Sequence, residues 1–158
     1  MTDHQSAAGH VWQMLGKHPI CMLATLDGAA IRARPMAAHA APDENAVYFL
    51  TDERRHKDEE IRINPNVCLA FVDGDDYVSL SGRAEVTNDR GKIRELWSMA
   101  AKAWWDSADD PNIRLLKVTP IEAEYWDGEG KVISTLKMAA ASVSGSRPDM
   151  GENKKVRM

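Results

Sequence analysis

Val67-Cys68-Leu69-Ala70-Phe71-Val72 is followed by Asp73-Gly74-Asp75-Asp76 and then by Tyr77-Val78-Ser79-Leu80-Ser81-Gly82-Arg83-Ala84-Glu85-Val86. Two runs of strand-forming residues flank four turn-forming ones. A link this short returns the chain beside itself, so the two runs pair antiparallel; a parallel pair would need a crossover of a dozen or more residues. The same punctuation recurs outward. Residues 20–26 are apolar and meet Asp27-Gly28, a hairpin signal, before a further strand over 29–38. Residues 46–51, 113–118 and 123–126 read as strands as well, the last two bent apart by Pro120.

Three helices are expected between them. Residues 8–18 place Val11, Trp12 and Leu15 on one face, and Pro19 stops the helix. Residues 56–64 are charged and end at Pro65. Residues 91–105 bring Ile93, Leu96, Trp97, Ala100 and Trp104 to core-facing spacing; the pair Trp104-Trp105 is expected half in the core and half at an interface, with cover for an aromatic ligand ring as the lesser alternative to the core. The fold class is therefore mainly β with peripheral helices, a six- to seven-stranded antiparallel barrel. Residues 1–138 form one domain. Residues 139–158, small, polar and glycine-containing, read as a flexible tail or an arm lying on a partner.

Composition narrows the function. The chain has 158 residues, 44% hydrophobic and 28% charged, which suits one globular core rather than a disordered chain. A net charge of -4 offers no basic surplus for nucleic acid or an anionic membrane, so neither is expected as a partner. The start is polar, no run is long enough to span a bilayer, and Cys21 and Cys68 sit singly in apolar runs. A reducing compartment, the cytoplasm, is the expected address. The five histidines are scattered without metal-ligand spacing, and no glutamate closes the Asp73-Asp75-Asp76 run as a calcium loop would require. Ser79 and Ser81 lack a nucleophile-elbow pattern.

The constellation with most chemistry is Arg32, Arg34-Pro35-Met36, then Leu50-Thr51, then His56-Lys57 opening a helix. Arg34 offers a planar fork for phosphate oxygens, Thr51 a hydroxyl at a strand end, and His56 and Lys57 positive charge beside free helix N–H groups. On the residues alone, solvated surface charge is the preferred reading and a phosphate site the alternative.

The order of Arg34-Pro35-Met36, Phe49-Leu50-Thr51, His56-Lys57 with Ile61 and Asn64-Pro65, Gly82-Arg83-Ala84-Glu85, and Glu124-Tyr125-Trp126-Asp127 resembles the pyridoxamine-5'-phosphate-oxidase-related FMN-binding superfamily, in its general stress protein 26 branch. The resemblance runs from about Trp12 to Lys137. It implies a split β-barrel that holds FMN, with FAD as an alternative, at a homodimer interface. It places residues 34–39, His39 among them, along the flavin, makes Leu50 and Thr51 the next flavin contacts, and gives His56 and Lys57 the phosphate. Tyr77 falls at a polar flavin contact. Trp126 corresponds to an aromatic residue that reaches the flavin from the second subunit, and a buried core tryptophan is an equal reading.

One departure matters. Where the true oxidase carries an Arg-x-His that grips substrate, this chain has Val132-Ile133-Ser134, and Lys137 is the nearest cation to a missing flavin-contacting arginine. Vitamin B6 oxidation is therefore not expected. What remains is an FMN-dependent oxidoreductase acting on an unknown small donor and acceptor, or a stress protein that stores flavin without turnover. A third reading is a family member with an empty site and an interaction role.

Overall fold

The computed structural model describes residues 3–98, 100–128 and 152–158. Eight strands and three α-helices are found among them: α1 (Asp3–Gly16), β1 (Ile20–Asp27), β2 (Ala30–Ala37), β3 (His39–Ala41), β4 (Ala46–Asp52), α2 (His56–Ile63), β5 (Asn66–Asp73), β6 (Asp76–Thr87), α3 (Arg90–Leu96), β7 (Ile113–Asp127) and β8 (Glu152–Arg157). All strand pairings are antiparallel, in the order β2-β1-β5-β6-β7-β4-β3, with β8 added to β7. The two hairpin signals fold as read: Gly28 and Gly74 both take positive φ, at 61° and 58°.

The two edge strands, β2 and β3, are separated in the chain by Ala38 alone. Strands at opposite edges of one sheet can be chain neighbours only if the sheet rolls up on itself, which it does without closing. The interior holds Leu23, Phe49, Leu69, Phe71, Leu80 and Leu116, all fully buried, and α1 covers it with Val11 and Leu15. A smaller apolar cluster lies on the other side of β4, where Ala46 and Tyr48 meet Ile93, Ile113 and Leu115.

Several expected boundaries move. The strands expected over 113–118 and 123–126 are one fifteen-residue strand, β7. Pro120 does not break it: Gly82 pairs Pro120 and Ser81 pairs Glu122, so Ile121 is an extra residue and the proline sits in a bulge. Gly82 is required there, since a Cβ would lie 2.6 Å from the Thr119 carbonyl oxygen. The strand expected over 29–38 is interrupted at Ala38, whose N–H donates to the Pro19 carbonyl instead of a ladder partner. The helix expected over 91–105 ends at Leu96, and a 3-10 turn follows at Ala101–Ala103. Trp105 is half-buried against the smaller cluster, but Trp104 is 70% exposed, so the core expectation fails for Trp104. The final residues, expected as tail or arm, form β8, which places Val156 in the core. Residues 129–151, with Val132-Ile133-Ser134, Lys137 and most of the expected tail, lie outside the described residues.

Candidate flavin site

The roll of the sheet leaves a split. β2 pairs β1 on one edge, and among the described residues nothing pairs its other edge. β3 covers β4 only at Ala46, Val47 and Tyr48, so beyond Tyr48 the edge of β4 away from β7 is bare from Phe49 to Asp52. β2 and β4 touch, and β2 runs into β3 through Ala38 at one end of the gap. Two bare edges present rows of backbone N–H and C=O groups without ladder partners. Such a slot suits a flat ligand with a polar rim.

Arg34, Pro35, Met36 and His39 stand on the β2–β3 side of the slot, and Leu50 and Thr51 on the β4 side. β4 runs from Thr51 through a short turn into α2, so His56 and Lys57 open a helix at the end of the slot. The six residues named from sequence on β2, β3 and β4 therefore lie on the strands that flank the slot, and the helix pair follows the end of β4. Leu50 contributes main chain rather than side chain, since its side chain packs against the smaller apolar cluster on the far face of β4. His39 is half-buried, and burial pushes its pKa down, which keeps the imidazole neutral at pH 7.

Lys57 is also partly buried. Among the described residues its ammonium has no hydrogen bond or ion pair. Burial pushes its pKa down; Asp58 opposes that, while Arg34 and Arg55 add to it. Arg55, which caps α2 without a side-chain bond, and His56 are exposed and also unpaired among the described residues. The Asp58 and Asp52 carboxylates act on Lys57 without an ion pair or hydrogen bond among the described residues, so its ammonium keeps donors to spare beside the free N–H groups of a helix start.

Other members of the constellation are committed inside the protein. Arg34 donates to the Thr25 hydroxyl at 2.7 Å, to the Leu23 carbonyl at 3.3 Å and to Glu60 of α2 at 3.1 Å. Glu60, nearly buried, also accepts from Thr25 at 2.6 Å. The Arg34 fork thus fastens α2 to the barrel wall, with its side chain 23% exposed. Arg32 is exposed and pairs Asp27 within the β1–β2 hairpin at 2.7 Å. Thr51 is buried and donates to Asp58 at 3.1 Å. Sequence reasoning missed Asp58 and Glu60 because nothing in a charged helical run shows which carboxylates turn inward, and Asp52 because a strand-end carboxylate reads as solvated.

Trp126 is not at the slot of its own subunit. Thr51 pairs Arg114 on β7, and Trp126 lies twelve residues farther along that strand, about 40 Å at ~3.3 Å per residue. It stands opposite Tyr77 on the outer face of the sheet, 38% exposed, which removes the buried-core alternative. That outer face is small and apolar across four strands. Pro35, Met22, Ala70 and Ser79 form one row, and Ala33, Ala24, Cys68 and Ser81 the next. A groove of about 410 Å³ opens there, lined by Ala24, Leu26, Ile31, Val67, Gly82 and Ile121 among others.

A curled antiparallel sheet split between β2 and β4, with His56 and Lys57 opening a helix after β4, defines the class. The chain belongs to the pyridoxamine 5'-phosphate oxidase like family, whose pattern it matches over residues 6–149. Among individual proteins it is 29% identical over 143 residues to general stress protein 26 of Bacillus subtilis (strain 168), covering 86% of this chain and 99% of that one. A crystal structure assigned to general stress protein 26 of Jannaschia sp. CCS1 superposes with a TM-score of 0.79 at 28% identity, over 98% of this chain and 99% of that chain. The general stress FMN/FAD binding protein of Xanthomonas citri superposes at 0.68, also 28% identical, over 77% of this chain and 89% of that chain. No helix among the described residues is long and apolar enough to cross a membrane.

Proposed function

We propose that this chain binds FMN at the interface of a homodimer and serves as a flavin-dependent oxidoreductase for a small substrate. The observation that carries the reading is the half-buried Lys57 ammonium at the start of α2, which among the described residues has no ion pair and follows strand edges that no described strand pairs. The FMN phosphate fits the Lys57, His56 and helix N–H cradle, since the dianion can accept from the ammonium and from free helix N–H groups. The polar rim of the ring fits the backbone groups of β2 and β4. When bound, the flavin supplies hydride and electron transfer; the protein supplies position and electrostatics.

The outer face supports the dimer: an apolar sheet surface lies open to water there. Docking two copies through that face covers Met22, Ala70 and Cys68 and carries Trp126 of one copy toward the slot of the other. The dimer, FMN and the reaction class are expectations of this reading, as is the cytoplasm, for which the free thiols of Cys21 and Cys68 argue.

The test is an absorbance spectrum of the purified chain, then an FMN titration, then anaerobic addition of NADH or NADPH. Flavin that binds and bleaches supports the oxidoreductase. Flavin that binds and stays oxidised supports storage instead. A chain to which FMN does not bind at all ends the reading.

A further inference from the structure

Glu53, Arg54 and Arg55 form the turn between β4 and α2, and so set where His56 and Lys57 stand. Most helix starts are fixed by a Ser, Thr, Asp or Asn side chain that occupies the first free N–H groups. Arg55 stands at that position here and makes no side-chain cap, which leaves those N–H groups open to an anion. The turn is held from the strand side instead. Asp52, the last residue of β4, accepts from the Arg54 N–H at 2.9 Å and grips the Arg54 guanidinium with both oxygens. The Asp52 carbonyl accepts from the Arg55 N–H at 2.9 Å, and the Glu53 N–H donates to the Asn112 carbonyl at 2.9 Å.

The Asp52 carboxylate has one further partner, 53 residues farther along the chain. Trp105 donates its indole N–H to Oδ2 at 3.0 Å. Its ring is half-buried against the smaller apolar cluster of Ile93, Ile113 and Leu115, so the donor has a fixed direction. Arg54 gives no such anchor, since its side chain is 65% exposed. Water is a poor substitute for the indole, because the Asp52 side chain is only 11% exposed. The carboxylate that orients the turn therefore depends on a ring packed elsewhere in the protein.

We propose that Trp105 is a positioning residue for the flavin phosphate, acting through Asp52 on the turn that leads into α2. This deepens the flavin reading and rests on it. Trp105 touches no ligand in this role. Its effect is confined to the phosphate, because the strands offered to the ring, β2 and β4, are held by their own ladders to β1 and β7. A variant that frees the turn should therefore separate FMN from riboflavin, which has the same ring and ribityl chain without the phosphate.

The experiment titrates FMN and riboflavin separately into the full chain and into Trp105→Phe, Asp52→Ala and the double variant, read by flavin fluorescence, with a thermal melt of each. Trp105→Phe keeps an aromatic ring in the cluster and removes the N–H donor. It is expected to weaken FMN about tenfold, the worth of a hydrogen bond to a charged group, and to leave riboflavin affinity as in wild type. Asp52→Ala should give the same pattern, and the double variant should be no weaker than Asp52→Ala alone, since the two residues act in series. FMN bound equally by wild type and both single variants refutes the positioning role. So does an equal loss for FMN and riboflavin, which makes Trp105 a packing residue only, and so do additive losses in the double variant. In each of those cases FMN bound by the wild type leaves the flavin reading standing. A wild type that binds neither flavin refutes that reading, and this inference with it.

Discussion

The Thr51 hydroxyl donates to one carboxylate oxygen of Asp58 across 3.1 Å, and the other oxygen of Asp58 is buried with no hydrogen-bond partner among the described residues. The carboxyl is 1% exposed, and burial pushes its pKa up while the Thr51 hydrogen bond pulls it down. A pKa raised on folding stabilises the fold at low pH and loses that contribution as pH rises through the folded value. Asp58→Asn keeps the shape and removes the charge. Because an amide carries no charge to desolvate, it is expected to raise stability at pH 7 and to raise it less at low pH, where the wild-type carboxyl takes up its proton. Denaturant melts at both pH values check this; an equal effect at both would remove ionisation as the cause.

Asp52, only six residues away, behaves in the opposite sense. The Arg54 guanidinium holds its carboxyl well below the usual range, with further help from the Arg54 and Trp105 N–H groups. A depressed pKa gives stability that is present above the unfolded value and lost as pH falls toward the folded one. Asp52→Asn should therefore destabilise at pH 7 by about 1 kcal/mol, the exposed Arg54 being screened by water. The difference from wild type should shrink below pH 4, read in the same melts.

Lys57→Met tests the cradle directly. It is expected to weaken FMN about 10- to 100-fold, the worth of a charge-assisted hydrogen bond, while leaving the apo protein as stable or more so. Because burial lowers the Lys57 pKa, its charge is lost at a lower pH than an ordinary lysine loses it. FMN affinity of the wild type should fall as pH rises through the alkaline range, and the Met variant should lack that slope. Flavin fluorescence quenching measures both.

Arg34 and Glu60 form a nearly buried pair, so truncation of one partner strands the other. Glu60→Ala should cost about 3 kcal/mol, the lower end for breaking such a pair, since Arg34 keeps some access to water. The double change Arg34→Met with Glu60→Met should recover much of that loss. A double-mutant cycle by urea denaturation gives the coupling, and additive single effects would show that the pair is not holding α2.

Met22 is 42% exposed on the outer face and central to the proposed dimer surface. Met22→Glu buries nothing in the subunit, so the fold should survive. Light scattering should give a two-chain mass for wild type and a one-chain mass for the variant, with FMN binding lost alongside. A wild-type monomer that binds FMN would show that one copy completes the slot.

The strands and their antiparallel pairing were legible because a four-residue turn between β5 and β6, or Asp27-Gly28 between β1 and β2, leaves the chain no other local geometry. The core face of α1 was legible for a similar reason, through the spacing of Val11 and Leu15. The order of Arg34-Pro35-Met36, Leu50-Thr51 and His56-Lys57 pointed to one site, and the fold puts the first set on β2, the second on β4 and the third at the start of α2.

What only the tertiary structure decided concerns partners distant in sequence. Whether Arg34 meets a ligand or Glu60 depends on how α2 lies across β1, which no local pattern encodes. That Trp104 leaves the core follows from α3 ending at Leu96, and that Trp126 faces outward, far from its own slot, follows from β7 running unbroken through Pro120. The split itself is a property of two strand edges that nothing pairs. Hydrophobic periodicity and turn chemistry act over a few residues and determine the strands; which edges stay open, and which charges are buried, is settled only when the whole sheet rolls up.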